Sequence, residues 1–185
     1  MIPDLLKDAE EKMKKAVEAT QQEFAQIRTG RANPGLVEHI KVDVYGSTLP
    51  INQLAAVTVP EPRQLLITPY DKNVIAAIEK TLMKSDLGMT PNSDGISIRL
   101  NIPQLNEQRR KDLTKQVNQK AEHGRVSIRT VRQEVQKKLQ QAKKSSEISE
   151  DDERRAMDSL QKLVDRYIVQ VDDITKVKDA ELLEV

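Results

Sequence analysis

The sequence predicts an α+β protein: an elongated three-helix bundle carrying an inserted small β/α/β sandwich domain, joined to it by a two-strand hinge. Apolar residues recur every three or four positions at both ends of the chain, and between about Leu36 and Pro103 that period gives way to alternation. Aromatic residues make up only 2% of the 185, so any core must be built from Leu, Ile, Val, Ala and Met. Such usage suits narrow aliphatic seams along helices better than one thick core.

The first helix is read from Leu6, Ala9, Met13, Ala16, Thr20, Glu23 or Phe24, and Ile27, a run of steps of three and four that places a mainly apolar seam on one face. Gly30 is its expected stop, and Pro34 prevents continuation. Next, Ile40, Val42 and Val44 alternate with Lys41, Asp43 and Tyr45 before Gly46, the pattern of a strand with one buried face. Ala56 to Val59 and Leu65 to Ile67 are further short strands, punctuated by Pro50, Pro60, Pro62 and Pro69. A short helix is expected over Val74 to Lys84, then a turn-rich loop from Asp86 to Gly95, then alternation again at Ile96, Ile98, Leu100 and Ile102.

After Pro103 the helical period returns through Leu113, Val117, Ala121, Gly124, Ile128, Val131, Val135, Leu139 and Ala142. Gly124 weakens that helix by about 1 kcal/mol relative to Ala, and a close helix contact is the expected compensation. Ser149, with Asp152 three positions on, forms the pattern of a capping box. Leu160, Leu163, Tyr167, Val171, Ile174 and Val177 or Lys178 supply the third seam. Three seamed helices bury one another most economically as a bundle of residues 1–30 and 105–185, with residues 31–104 inserted between the first two helices.

Charge is segregated along the chain. Residues 105–144 carry 12 basic and 4 acidic side chains, whereas residues 145–185 carry 6 and 12, so a basic helix is followed by an acidic one. On a helical projection Lys111, Arg125, Arg129 and Arg132 share a sector about a right angle from the apolar seam, with Arg110 flanking it. A row of guanidinium groups can grip successive phosphates. The competing explanation is neutralisation by the acidic helix, which accounts better for Lys137, Lys138, Lys143 and Lys144 than for the arginines.

Catalysis is not expected. The sequence has no Cys and two distant histidines, His39 and His123, both read as surface or edge-strand residues. Gly30 and Gly35 lack the Lys-Ser/Thr ending of a nucleotide cradle, and Asp151-Asp152 and Asp172-Asp173 read as solvated helix charge. No metal or cofactor is implied. The N-terminus lacks a basic stretch followed by an apolar run, and no segment approaches the roughly 20 apolar residues that cross a bilayer. A cytoplasmic protein without membrane partners is expected.

The order of several strings sharpens this reading. Ile27-Arg28-Thr29-Gly30-Arg31-Ala32, Asn92-Ser93, Glu107 to Lys115, Val126 to Arg132, and Glu147-Ile148-Ser149-Glu150-Asp151-Asp152 with Arg154 and Arg155 occur in an arrangement that closely resembles bacterial ribosome recycling factors, from Met1 to the acidic end. The resemblance implies a non-enzymatic monomer that binds the post-termination ribosome near the aminoacyl and peptidyl sites. With elongation factor G and GTP it would separate the subunits and release messenger and transfer RNA. By matching position, Arg28, Arg31, Arg110, Arg129 and Arg132 would contact large-subunit ribosomal RNA, with Arg125 added from the stripe. Gly30, Arg31, Pro103, Gln104 and Leu105 would be the hinge. Gln133 departs from the pattern where relatives carry another Arg. The rival reading from the residues alone is a helical protein-binding adaptor or chaperone, which would ignore ribosomes.

Overall fold

A computed structural model describes residues 1–85 and 88–184; the expected loop positions Asp86 and Leu87 lie outside the described residues. In chain order the elements are α1 (Ile2–Ala25), β1 (Lys41–Val44), β2 (Ser47–Pro50), a single turn α2 (Ile51–Leu54), β3 (Ala55–Glu61), β4 (Gln64–Pro69), α3 (Ile75–Lys84), β5 (Pro91–Ser93), β6 (Ile98–Asn101), α4 (Glu107–Lys144) and α5 (Glu150–Leu183). They form two compact units, one of residues 1–24 with 115–179 and the other of residues 25–114 with 180–185. The change of period at Pro103 and the border at Thr114 therefore do not coincide. The opening turns of α4 belong to the second unit.

In the first unit the seams of α1, α4 and α5 face one another. Ala9, Met13, Val17 and Phe24 are buried from α1, Val117, Ala121, Ile128, Val135 and Leu139 from α4, and Leu160, Val164, Tyr167 and Val171 from α5. Each large aliphatic side chain so buried contributes about 1.5–3 kcal/mol relative to exposure. Cross-helix pairs fix the directions. Lys12 meets Glu134 while Lys120 meets Glu23, so α1 and α4 run antiparallel. Arg125 meets Asp172 and Arg132 meets Gln161, so α4 and α5 do too.

Three seam expectations shift by one position. Ala16 is only partly buried and Val17 takes its place, and on α5 Val164 and Thr175 are buried where Leu163 and Ile174 were expected. Lys178, 5% exposed, occupies the seam rather than Val177, which is 60% exposed. The capping box forms as read: the Asp152 amide donates to the Ser149 hydroxyl (3.0 Å) and the Ser149 amide to the Asp152 carboxylate (3.2 Å).

Helix α1 stops at Ala25, before the expected Gly30. The Asn33 side-chain amide donates to the Ala25 carbonyl (3.0 Å), removing an acceptor that the next turn would need. A Cβ on Gly35 would lie 2.9 Å from the Ala25 Cβ, so the returning chain passes directly against the helix end.

The second unit holds a two-stranded sheet, β1-β2, and a four-stranded antiparallel sheet ordered β3-β4-β6-β5. Leu65 pairs with Leu100 and Ile67 with Ile98, so the alternating apolar positions of β4 and β6 share one face. That face packs with Val42, Ile51, Ile78 and Leu82 in one core. Pro60 is tolerated because β3 is an edge strand. Tyr45 and Gly46, at φ 51 and 74, make the tight turn between β1 and β2.

Two details differ from expectation. Pro91–Ser93 forms an edge strand inside the segment read as loop. Ile96, expected to alternate inward, is 60% exposed, because the Asp94 carboxylate accepts the amides of Ile96 (2.9 Å) and Ser97 (2.8 Å) and holds them in a turn before β6 begins.

Candidate nucleic-acid interface

The basic face of α4 is not uniform. Arg125 reaches across to α5, where its Nε (2.9 Å) and Nη2 (2.7 Å) both donate to one carboxylate oxygen of Asp172; its Nη1 lies 3.3 Å from Glu122. Its side chain is 23% exposed. Burial works against the charge, but the bonds to Asp172 and then to Glu122 outweigh it and raise the Arg125 pKa above its ordinary value. Asp172, read as solvated, is therefore a cross-helix partner, while the paired base is Arg125 rather than Lys137, Lys138 or Lys144, for which no ion pair is present among the described residues. Of the four lysines expected to meet the acidic helix, Lys143 lies 3.9 Å from Glu153.

Arg129 and Arg132 differ from Arg125. Arg129 donates through Nη1 to Glu122 of its own helix (3.0 Å), and its side chain remains 52% exposed. Arg129 first, and then Arg125, hold the Glu122 carboxyl below its ordinary range. Among the described residues Arg132 bonds only neutral amides, through Nε to Gln161 (2.9 Å) and Nη1 to Gln136 (3.4 Å). Gln161 in turn donates to Asp165 (2.9 Å). An amide oxygen orients a guanidinium without cancelling its charge, so Arg132 keeps its attraction for an anion in a fixed pose. Sequence periodicity could place Gln161 on α5 but not identify it as the residue that aims Arg132.

The second unit gathers another arginine group. Arg28 donates through Nη2 to the Pro103 carbonyl (2.9 Å), and its Nε is buried without a partner among the described residues. Burial, and next the charge of Arg109, lower its pKa. Arg31 pairs with Glu184, and its amide donates to the Thr29 hydroxyl (3.1 Å), which tightens the turn at Gly30. A cavity of 380 Å³ is bounded here by Gly30, Arg31, Arg63, Gln104, Leu105 and Arg110, with Glu184 at its wall. The five expected hinge positions are thus neighbours: four border the cavity, and the fifth, Pro103, binds Arg28. Arg63 and Glu184 were not singled out in the sequence. Arg63 stands between two strands with no basic neighbour, and Glu184 is one acid among many on an acidic tail.

Both histidines are exposed, as expected. No group of three or more His, Asp or Glu able to hold a metal occurs among the described residues. No helix there is long and apolar enough to cross a membrane.

A family model described as ribosome recycling factor matches residues 20–183. The chain belongs to the ribosome recycling factor family. A ribosome-recycling factor from Roseiflexus castenholzii is 51% identical to it, and one from Listeria monocytogenes serotype 4a is 49% identical, each over 185 residues and the whole of both chains. Among solved structures, a ribosome recycling factor in solution is 40% identical and superposes with a TM-score of 0.78 over 100% of this chain and 98% of that one. A T. thermophilus ribosome recycling factor, placed with E. coli elongation factor G on the E. coli post-termination complex, is 42% identical with a TM-score of 0.72 over the whole of both chains. Ribosome recycling factors are translation factors rather than enzymes.

Proposed function

We propose that this chain recycles ribosomes: it binds the post-termination ribosome near the aminoacyl and peptidyl sites and, with elongation factor G and GTP, promotes separation of the subunits and release of messenger and transfer RNA. The observation that carries the proposal is the likeness, along the whole chain, to a recycling factor set on a post-termination complex with elongation factor G. Support comes from the basic face, where Arg129 and Arg132 are left unneutralised by the carboxylates of α5.

In this proposal a bundle of residues 1–30 and 105–185 binds large-subunit ribosomal RNA through Arg28, Arg31, Arg110, Arg129 and Arg132, with Arg125 at the inner margin of the stripe. Phosphate contacts of this kind anchor the factor and make its affinity fall with salt. The inserted domain, residues 31–104, turns about Gly30, Arg31, Pro103, Gln104 and Leu105 when the GTPase pushes on it. The energy for splitting comes from that partner. The chain acts as a monomeric lever in the cytoplasm and makes or breaks no covalent bond.

Subunit dissociation followed by light scattering, with post-termination ribosomes, elongation factor G and GTP, tests the proposal. The wild-type chain is expected to accelerate splitting only when both other components are present, and Arg132→Ala to slow it. Failure of the wild-type chain to split ribosomes would overturn the function, and wild-type behaviour of Arg132→Ala would overturn the role of that residue.

A further inference from the structure

The cavity is lined by three arginines, Arg31, Arg63 and Arg110, and, among the described residues, by one acidic residue, Glu184. The arginines come from three separate stretches: the segment after α1, the turn between β3 and β4, and the first turn of α4. Backbone bonds hold that turn in place, since the Ala32 amide donates to the Pro62 carbonyl (2.7 Å) and the Ile102 amide to the Arg63 carbonyl (2.8 Å). Like charges brought together at fixed positions repel, so the arrangement stores an attraction for an anion.

Glu184 supplies only part of that need. It pairs with Arg31, while neither Arg63 nor Arg110 has a carboxylate within ion-pair distance among the described residues. The Nε of Arg110 is buried and lacks a hydrogen-bond partner among the described residues, an arrangement that costs free energy unless a ligand completes it. Glu184 follows the last residue of α5, is held by one long backbone bond to Glu181 (3.4 Å), and its side chain is 42% exposed. It can leave Arg31 with little loss of packing.

We infer that this cavity is a seat for one phosphate of the RNA backbone, built by Arg31, Arg63 and Arg110, and that the Glu184 carboxylate occupies it until a phosphate displaces it. The inference rests on the RNA-binding reading above and extends it to Arg63 and Glu184. A carboxylate and a phosphodiester each carry one negative charge and present paired oxygens to a guanidinium fork, so the exchange conserves charge. Phosphate gains over Glu184 because its oxygens reach three arginines where the carboxylate satisfies one. Arg63 makes the seat specific to the folded second unit, since sequence alone leaves it isolated.

The test is binding of the full-length protein to isolated large ribosomal subunits, over a salt series from about 50 to about 200 mM. Removing the competing carboxylate in Glu184→Gln is expected to tighten binding about threefold at low salt. It should also steepen the logarithmic salt dependence by about one unit, because a mobile anion now leaves Arg31 in place of Glu184. Arg63→Gln is expected to weaken binding and flatten the salt dependence by about one unit. Thermal unfolding verifies that both variants keep the wild-type fold. Arg132→Ala serves as a reference that does not depend on the seat. If Arg132→Ala weakens binding while Glu184→Gln binds no more tightly or Arg63→Gln binds as wild type, the seat is overturned and the arginine face stands. If Arg132→Ala is also silent, the RNA-binding reading falls with it.

Discussion

Gly124 of α4 sits so close to Thr20 of α1 that a Cβ added to it would lie 2.4 Å from the Thr20 hydroxyl oxygen. Thr20 is 4% exposed and donates that hydroxyl to the Ala16 carbonyl (2.9 Å), so moving it aside breaks that hydrogen bond. A glycine that weakens its own helix thus allows two helices to approach.

Gly124→Ala is expected to destabilise the protein by about 1–2 kcal/mol in urea unfolding, because overpacking outweighs the gain of about 1 kcal/mol in helix propensity. Adding Thr20→Ala removes the clashing atoms and should recover most of the loss. A stabilised Gly124→Ala single variant would show that the helices separate freely at this point.

Arg125 and Arg132, which share one sector of the helix in the sequence, should separate experimentally. Arg125→Ala leaves the Asp172 carboxylate without its partner and should cost about 1–2 kcal/mol of stability, a value discounted for partial exposure. Arg132→Ala loses only bonds to neutral amides and should stay within about 0.5 kcal/mol of wild type while weakening ribosome binding. Parallel unfolding and ribosome-pelleting measurements check both, and equal stability losses in the two variants would contradict the assignment.

Asp179, near the C-terminal end of α5, has a buried carboxylate oxygen without a hydrogen-bond partner among the described residues. Burial raises its pKa above the ordinary carboxyl range. A carboxyl raised in the folded state adds stability only below its unfolded value, and that contribution is lost as pH rises through the folded value. Asp179→Asn is therefore expected to raise the unfolding temperature at pH 7 and to lose that advantage in acid. Melting curves from neutral pH down to about 3.5 test the sign.

Ser149→Ala should lower stability by about 1 kcal/mol through loss of the α5 cap. The Asp152 carboxyl is held below its ordinary range by the Ser149 amide first and the Ser149 hydroxyl second. Its contribution is present above the unfolded value and disappears as pH falls through the folded one. In Ser149→Ala the Asp152 titration, followed by carboxyl NMR, should move up toward the ordinary range; an unchanged titration would exclude the hydroxyl as a cause.

Local rules made much of the fold legible. The steps of three and four located α1, α4 and α5, and alternation located β1 and β6, because burial on one face imposes those periods wherever the chain is regular. The Ser149–Asp152 cap was legible because both partners lie within one turn. Helix α1 was read too long because the group that ends it, the Asn33 amide, acts from eight positions away. Ile96 was misplaced because Asp94 holds it in a turn that alternation alone cannot reveal.

The candidate site was legible as a set of arginines and no further. Composition and period determined that α4 is basic, that its arginines share a sector, and that α5 is acidic. Which guanidinium is neutralised depends on the rotation and axial offset of two packed helices. Periodicity leaves both undetermined, since any phase that buries the seam satisfies it. Only the tertiary structure sets Asp172 against Arg125, 47 positions away, and Gln161 against Arg132, 29 positions away. The same holds for Arg31, Arg63, Arg110 and Glu184. Backbone bonds from Ala32 to Pro62 and from Ile102 to Arg63 join the distant segments that carry Arg31 and Arg63, and no local pattern records the proximity of all four.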